Sequence, residues 1–317
     1  MALAGDALAH RPRPEPAAAR HPVGRRLHRR RARGQRRVHA PAQGAGGPVT
    51  ALLLLGAQRS GTTALAHALS RAYADAGGIF TVNGKLPYLL SRWTTAADLA
   101  GRHFRADEIA YALRRRPPAG EGADRWLKGV DDVLREAAAA AARGAHDAHG
   151  PADAPGDPAA ALVADVIAKA YAPWPRWGDK YNEYLLDLPA VLSAVPDARL
   201  VLLVRNPLEA AASQLEWTGD RPWRPRTVED ACAKWAAWHR PWLETAPGLD
   251  PDRVLVIGYR ALCEGRATDR LSAFCDLDLG PYVTGLRATR PDPGTDHLPA
   301  GTARVWRALC EMESSTT

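Results

Sequence analysis

The chain has 317 residues, with 42 Lys and Arg against 35 Asp and Glu, for a formal net charge of +7. The surplus sits in residues 1–48, which hold eleven arginines, no lysine and only Asp6 and Glu15 as acids; the remaining 31 bases and 33 acids leave the rest near −2. The body is therefore not basic, which argues against a nucleic-acid partner, and its apolar runs, such as 51–57 and 200–204, fall far short of the roughly 18–20 residues of a bilayer crossing.

Residues 1–48 are mostly Ala, Arg, Pro and Gly, too poor in large apolar side chains to offset ordering entropy, and are expected to be a disordered tail. They contain no serine, against a transit peptide, and no apolar segment follows Arg36 and Arg37, against a twin-arginine signal. The tail reads as solvated chain or as translated sequence upstream of the true start; the alternative is an arginine arm, and with it a non-enzymatic anion or RNA binder. Cys232, Cys263, Cys275 and Cys310 form no C-x-x-C pair, so neither a disulfide scaffold nor a zinc site is expected and a reducing cytoplasm is the default.

Residues 49–317 read as one domain. Ala51 to Leu55 is a continuous apolar run, as expected of a strand buried on both faces of a parallel sheet. Leu65, Ala68, Leu69, Ala72 and Tyr73 then recur at helical spacing. Two further strand-like runs, 199–204 and 253–257, each lead into a helix-like segment, and this alternation predicts a parallel α/β sheet. Between them, roughly 95–172, lies a helical insertion with an apolar stripe at Trp126, Leu127, Val130 and Leu134 and a Gly/Pro/Ala/Asp-rich linker over 144–158.

The loop Gly56-Ala57-Gln58-Arg59-Ser60-Gly61-Thr62-Thr63 joins a buried strand to a helix. There, backbone N–H groups and the positive helix end can cradle a phosphate, glycines let the backbone approach it, and the two threonines add hydroxyl donors. The G-x-x-x-x-G spacing is that of a P-loop, but Thr62 stands where a nucleotide kinase or NTPase places lysine, and the cation has moved to Arg59.

A second element follows the run 200–204. Asn206 suits an N-cap, Pro207 the first helical position and Glu209 the third, as in a capping box, so a helix is expected directly after Arg205. Ser213 returns to the face of Asn206 and Glu209 about two turns along. Arg205 and Ser213 can thus share one anion at the carboxyl end of a strand, where α/β sheets bind ligands.

These two motifs resemble those of the P-loop sulfotransferases, bacterial members included, which use 3′-phosphoadenosine 5′-phosphosulfate (PAPS) as co-substrate. The resemblance implies a P-loop-kinase-like three-layer α/β fold, a 5′-phosphosulfate loop at 56–63 and a 3′-phosphate site at Arg205 and Ser213. It also implies transfer of a sulfuryl group to a hydroxyl or amine of a small-molecule, carbohydrate or peptide acceptor, with no metal required. Trp177-Gly178-Asp179-Lys180-Tyr181 resembles the family's [ED]-K-[ST]-P segment, with Tyr181 and Asn182 in place of the usual Thr and Pro. The segment 254–262 resembles a later strand ending in Tyr-Glu-x-Leu, with Tyr259 expected to pack under the site and Arg260 where acid is usual.

Arg59, Lys180 and the loop amides are expected to stabilise charge on the leaving phosphate. The segment 81–87, where relatives carry a glutamate base, holds no acid. Asp179 is the first candidate base, or else a structural partner of Lys180, with Glu183 and His103 behind it; His67 reads as packed or solvated. Seven of ten tryptophans, among them Trp217, Trp223, Trp235, Trp238 and Trp242, lie between Trp174 and Trp242; their faces either line a pocket for a sugar or aromatic acceptor or form core, as the helical spacing of Trp235, Trp238 and Trp242 favours. Arg304 and Arg307, around Trp306, either close over the nucleotide or form a solvated helix face.

Overall fold

The computed structural model describes residues 51–100, 104–147, 157–219 and 224–315. The arginine-rich tail, His103, Trp223 and positions 148–156 of the expected linker lie outside the described residues. In chain order the elements begin with β1 (Ala51–Leu55), α1 (Thr62–Asp75), β2 (Ile79–Val82), α2 (Leu86–Trp93), α3 (Ala96–Ala100) and α4 (Ala106–Arg115). They continue with α5 (Ala123–Asp147), α6 (Pro158–Tyr171), β3 (Trp177–Lys180), α7 (Leu188–Ala194), β4 (Arg199–Val204) and α8 (Pro207–Leu215). The remainder are α9 (Val228–Thr245), β5 (Val254–Gly258), α10 (Tyr259–Cys263), α11 (Thr268–Cys275), α12 (Gly280–Val283) and α13 (Ala300–Ser315).

The five strands form one parallel sheet in the order β2-β3-β1-β4-β5. Both faces are buried, which is why the strands read as unbroken apolar runs rather than as alternation. Ala51, Leu53 and Leu55 of β1 join one core with Leu200, Leu202 and Val256, while Leu52 and Leu54 join another with Val201, Leu203 and Ile257. Helix α1 covers the second face with Leu65 and Leu69, helped by Leu271 of α11 and Val283 of α12. The first face is covered by α2, α4, α6, α9 and α13, through residues such as Leu90, Ile109, Val166, Trp235 and Val305. Helix, sheet and helix make the three layers of a P-loop-kinase-like fold.

Strand β2, Ile-Phe-Thr-Val, has strand-forming residue types in a run of only four, whereas β3 has no strand signature in the sequence. The residues of β3 are Trp-Gly-Asp-Lys, and tertiary contacts alone make them a strand. Trp177 stacks on Tyr171 of α6 with centroids 3.8 Å apart, and Tyr171 in turn meets Trp126 of α5 at 5.5 Å. The helices α3–α6 are thereby fastened to the strand that carries Lys180. Trp126, Val130 and Leu134 are buried along α5, Leu127 only partly.

Gly178 has no room for a side chain, since a Cβ there would stand 2.5 Å from the Phe80 ring and 2.7 Å from the Leu52 carbonyl oxygen. The carbonyl belongs to the neighbouring strand and cannot swing away. Gly178→Ala is expected to cost about 2 kcal/mol of stability by overpacking, measured as a lowered urea midpoint with an unchanged slope.

Candidate active site

The site begins where β1 ends. A chain leaving a buried strand must turn within six residues to enter α1, and two features allow it. Gly61 adopts φ 91°, and a Cβ on it would stand 2.8 Å from the Tyr259 ring; Arg59 also takes a left-handed φ of 68°, a conformation that a non-glycine residue rarely adopts. That strained residue lies at the centre of the contacts. Its backbone carbonyl accepts from Arg205 Nη1 at 3.1 Å, and its own Nε donates to Ser213 Oγ at 3.0 Å. The loop and the second motif, 146 and 154 residues apart in sequence for these two contacts, therefore form one cluster. Ser60 is fully buried in the loop, and Gln58 Oε1 accepts from Lys234 Nζ at 2.9 Å.

Asn206 caps α8, its Oδ1 accepting from the Leu208 amide at 2.9 Å with Pro207 following. Arg205 is 6% exposed, and its guanidinium carbon lies 4.3 Å from the centre of the Tyr259 ring, a cation–π contact away from water. Glu209 does not close a capping box. It is 2% exposed, and its Oε1 accepts from Arg260 Nη2 at 2.7 Å and lies 3.5 Å from Arg205 Nη2. A buried carboxylate between two arginines is worth more there than at a helix N–H, because an unpaired buried charge is so costly.

Register places Lys180 opposite Leu54, at the mouth of the loop. Its Nζ donates to Asn182 Oδ1 at 2.7 Å, Asn83 Oδ1 at 3.2 Å and Thr63 Oγ1 at 3.3 Å. Burial pushes its pKa down to about 8, while the charges of Asp179 and Glu183 act in the opposite sense.

Asp179 corrects the expectation of a general base. It is completely buried, and its carboxylate accepts from Tyr184 Oη at 2.5 Å, Thr81 Oγ1 at 2.7 Å and the amides of Lys85 and Gly84 at 2.7 and 2.8 Å. Burial raises its pKa and those four donors oppose the rise. A carboxylate committed to four donors holds the turn 83–85 in place and has no lone pair aimed at an acceptor. Glu183 is half-buried in the 3-10 turn Asn182–Asp187, and His67 is half-buried on α1.

A cavity of about 450 Å³ opens beside the loop, lined by Arg59, Thr63, Asn83, Lys180, Asn182 and Trp217. Gln58, Gln214, Arg224 and Pro225 complete its wall, and among the described lining residues there is no carboxylate or histidine. Asn83, Asn182, Gln214 and Arg224 escaped the sequence reading of the site. The Asn-Gly pair at 83–84 was a turn signal, and Asn83 does adopt φ 65°; the others carried none. Of the tryptophans, Trp217 reaches this cavity, whereas Trp235, Trp238 and Trp242 are core. Arg304 and Arg307 are exposed on α13, whose Trp306 packs 6.0 Å from Trp235.

The sulfotransferase family model matches residues 51–281, and the chain belongs to that family. Among solved structures it is similar to the sulfotransferase domain of the Synechococcus PCC 7002 olefin synthase, at 18% identity over 84% of this chain and 94% of that one, TM-score 0.47. It is also similar to the sulfotransferase domain from the curacin biosynthetic pathway, at 12% identity over 83% of this chain and 98% of that one, TM-score 0.44. Sulfotransferase STF9 from Mycobacterium avium follows at 15% identity over 85% and 76%, TM-score 0.41. No curated protein matches the chain.

Asp179→Asn turns an amide N–H toward donors that need an acceptor. It is expected to destabilise the fold by about 3 kcal/mol, read by chemical denaturation. A variant of full stability whose activity alone is lost would restore Asp179 as the base.

Proposed function

We propose that this sulfotransferase takes its sulfuryl group from PAPS and passes it to a hydroxyl or amine, releasing adenosine 3′,5′-bisphosphate. The observation that carries this reading is the meeting of the two motifs at the carboxyl ends of β1 and β4, with Arg59 bonded to Ser213 and Arg205 to the Arg59 carbonyl. Buried donors in both motifs suit phosphate oxygens: Ser60 Oγ, Arg205 Nε and Arg205 Nη2 have no hydrogen-bond partner within the protein. Gln58, Arg59, Ser60 and the amides from Gly56 to Thr63 would hold the 5′ end, and Arg205 and Ser213 the 3′-phosphate, with Tyr259 under the guanidinium.

PAPS supplies a sulfuryl group already activated by its bond to phosphate. The acceptor atom forms a bond to sulfur, the bond from sulfur to the 5′-phosphate oxygen breaks, and the acceptor's proton is lost. Lys180 and Arg59 line the same cavity, and their charge meets the charge developing on the departing oxygen. That cavity has the size for a small acceptor or the end of a carbohydrate or peptide, with Trp217 as an aromatic wall. The four cysteines are free thiols, which fits a cytoplasmic enzyme.

Isothermal titration with adenosine 3′,5′-bisphosphate tests the donor. Binding is expected in the wild type and is expected to weaken about 30-fold or more in Arg205→Ala, the range for losing a buried charge-assisted contact. Absence of heat from folded protein, with protection by ATP and magnesium instead, would reverse the reading in favour of a kinase. Because Lys180 acts as the ammonium, it is fully competent below its pKa; kcat/KM, which reports the free enzyme, is expected to fall as pH rises through about 8.

A further inference from the structure

Asn182 opens the 3-10 turn after β3, and both ends of its side-chain amide are engaged. Its Oδ1 accepts from Lys180 Nζ at 2.7 Å, while its Nδ2 donates to the Gly56 carbonyl at 2.8 Å and reaches Thr62 Oγ1 at 3.4 Å. An ammonium can only donate and a carbonyl can only accept, so its partners fix which way the amide faces. One planar group thus joins the end of β3 to the residue that follows β1, where the two strands open into the cavity. Lys180 ends a flexible four-carbon stem, whose freedom would otherwise have to be lost when a donor binds. Its three N–H groups meet three acceptors, of which Asn182 is the nearest.

We propose that Asn182 is a positioning residue for sulfuryl transfer: it ties the Lys180 ammonium to the first carbonyl of the glycine-flanked loop, so that cation and loop are set in register before the reaction. This inference rests on the sulfotransferase reading above and adds to it a residue that touches Lys180 rather than the reacting atoms. The charged groups around Lys180 are Asp179 before it on β3, Glu183 in the following turn, and Arg59 and Arg224 across the cavity. Asn182 is the nearest of the three uncharged acceptors on the ammonium, with Asn83 and Thr63 farther, and it stabilises the ammonium over the free amine.

Competitive acylation of the full chain with acetic anhydride, read by mass spectrometry across pH, reports the free-amine fraction of Lys180 without requiring turnover. Asn182→Leu, which fills the space without an acceptor, is expected to raise labelling of Lys180 at pH 7 at least three-fold. Asn182→Asp, of the same shape and independent of the apolar variant's folding, is expected to lower it at least three-fold. Where transfer is measured, Asn182→Leu is expected to lose ten-fold or more in kcat with KM for PAPS within three-fold. Labelling equal within two-fold in all three proteins overturns the proposal, and so does a labelling contrast with kcat unchanged. A wild-type chain that shows the contrast but neither transfers a sulfuryl group nor binds adenosine 3′,5′-bisphosphate supports the clamp and overturns the reading it was assigned to serve.

Discussion

A sheet buried on both faces can keep polar groups only where its strands end. The strands β1, β4 and β5 are mostly apolar, and a group of buried polar residues gathers at and just beyond the carboxyl ends of β1 and β4, Ser60, Arg205, Asn206, Glu209 and Ser213, with Asp179 and Lys180 on β3. Burying a charge is costly unless it is paired and hydrogen-bonded. The carboxyl edge is therefore a network in which each charged group depends on the others. Arg59 holds Ser213, Arg205 holds Arg59, and Tyr259 lies against both Arg205 and Gly61.

Two exchanges within that network follow the same rule. Arg260 stands where the family resemblance would place an acid, and the acid it needs comes from Glu209, one helix away. The resulting carboxylate lies between two guanidiniums, ion-paired to Arg205 Nη2 at 3.5 Å, and Arg205 Nε has no hydrogen-bond partner within the protein. Asp179 illustrates the rule from the other side. Its four donors come from β2, from the turn after it and from the turn after β3, so a single carboxylate pins three segments that the chain would otherwise have to order separately. Asn83, held in that arrangement, reaches Lys180.

Function follows from the same geometry. The loop after β1 and the helix after β4 leave neighbouring strands, so the two elements open side by side, which is what the proposed grip on one molecule with anions at both ends requires. The cavity beside Lys180 lies next to the first of these. Under the proposed reading, donor and acceptor would be held in line by these groups, which is most of what group transfer demands of a protein.

The sequence by itself determined strands β1, β4 and β5, the glycine-flanked loop, the Asn206 cap and the helix that begins after Arg205, because each depends on neighbours within about ten residues: apolar runs, helical period, turn chemistry. The family was legible for the same reason, its two motifs being local. Tertiary structure decided the rest. Strand β3 exists because Gly178 alone fits between Phe80 and Leu52, a fact about residues about a hundred positions apart. Asp179 reads as a base beside its lysine until the fold surrounds it with donors from 81, 84 and 85. The tryptophans of α9, legible as either pocket or core, became core when the sheet came to lie under them. Period and spacing report which way a side chain points along its own segment; what it meets there is set by chain that arrives from elsewhere.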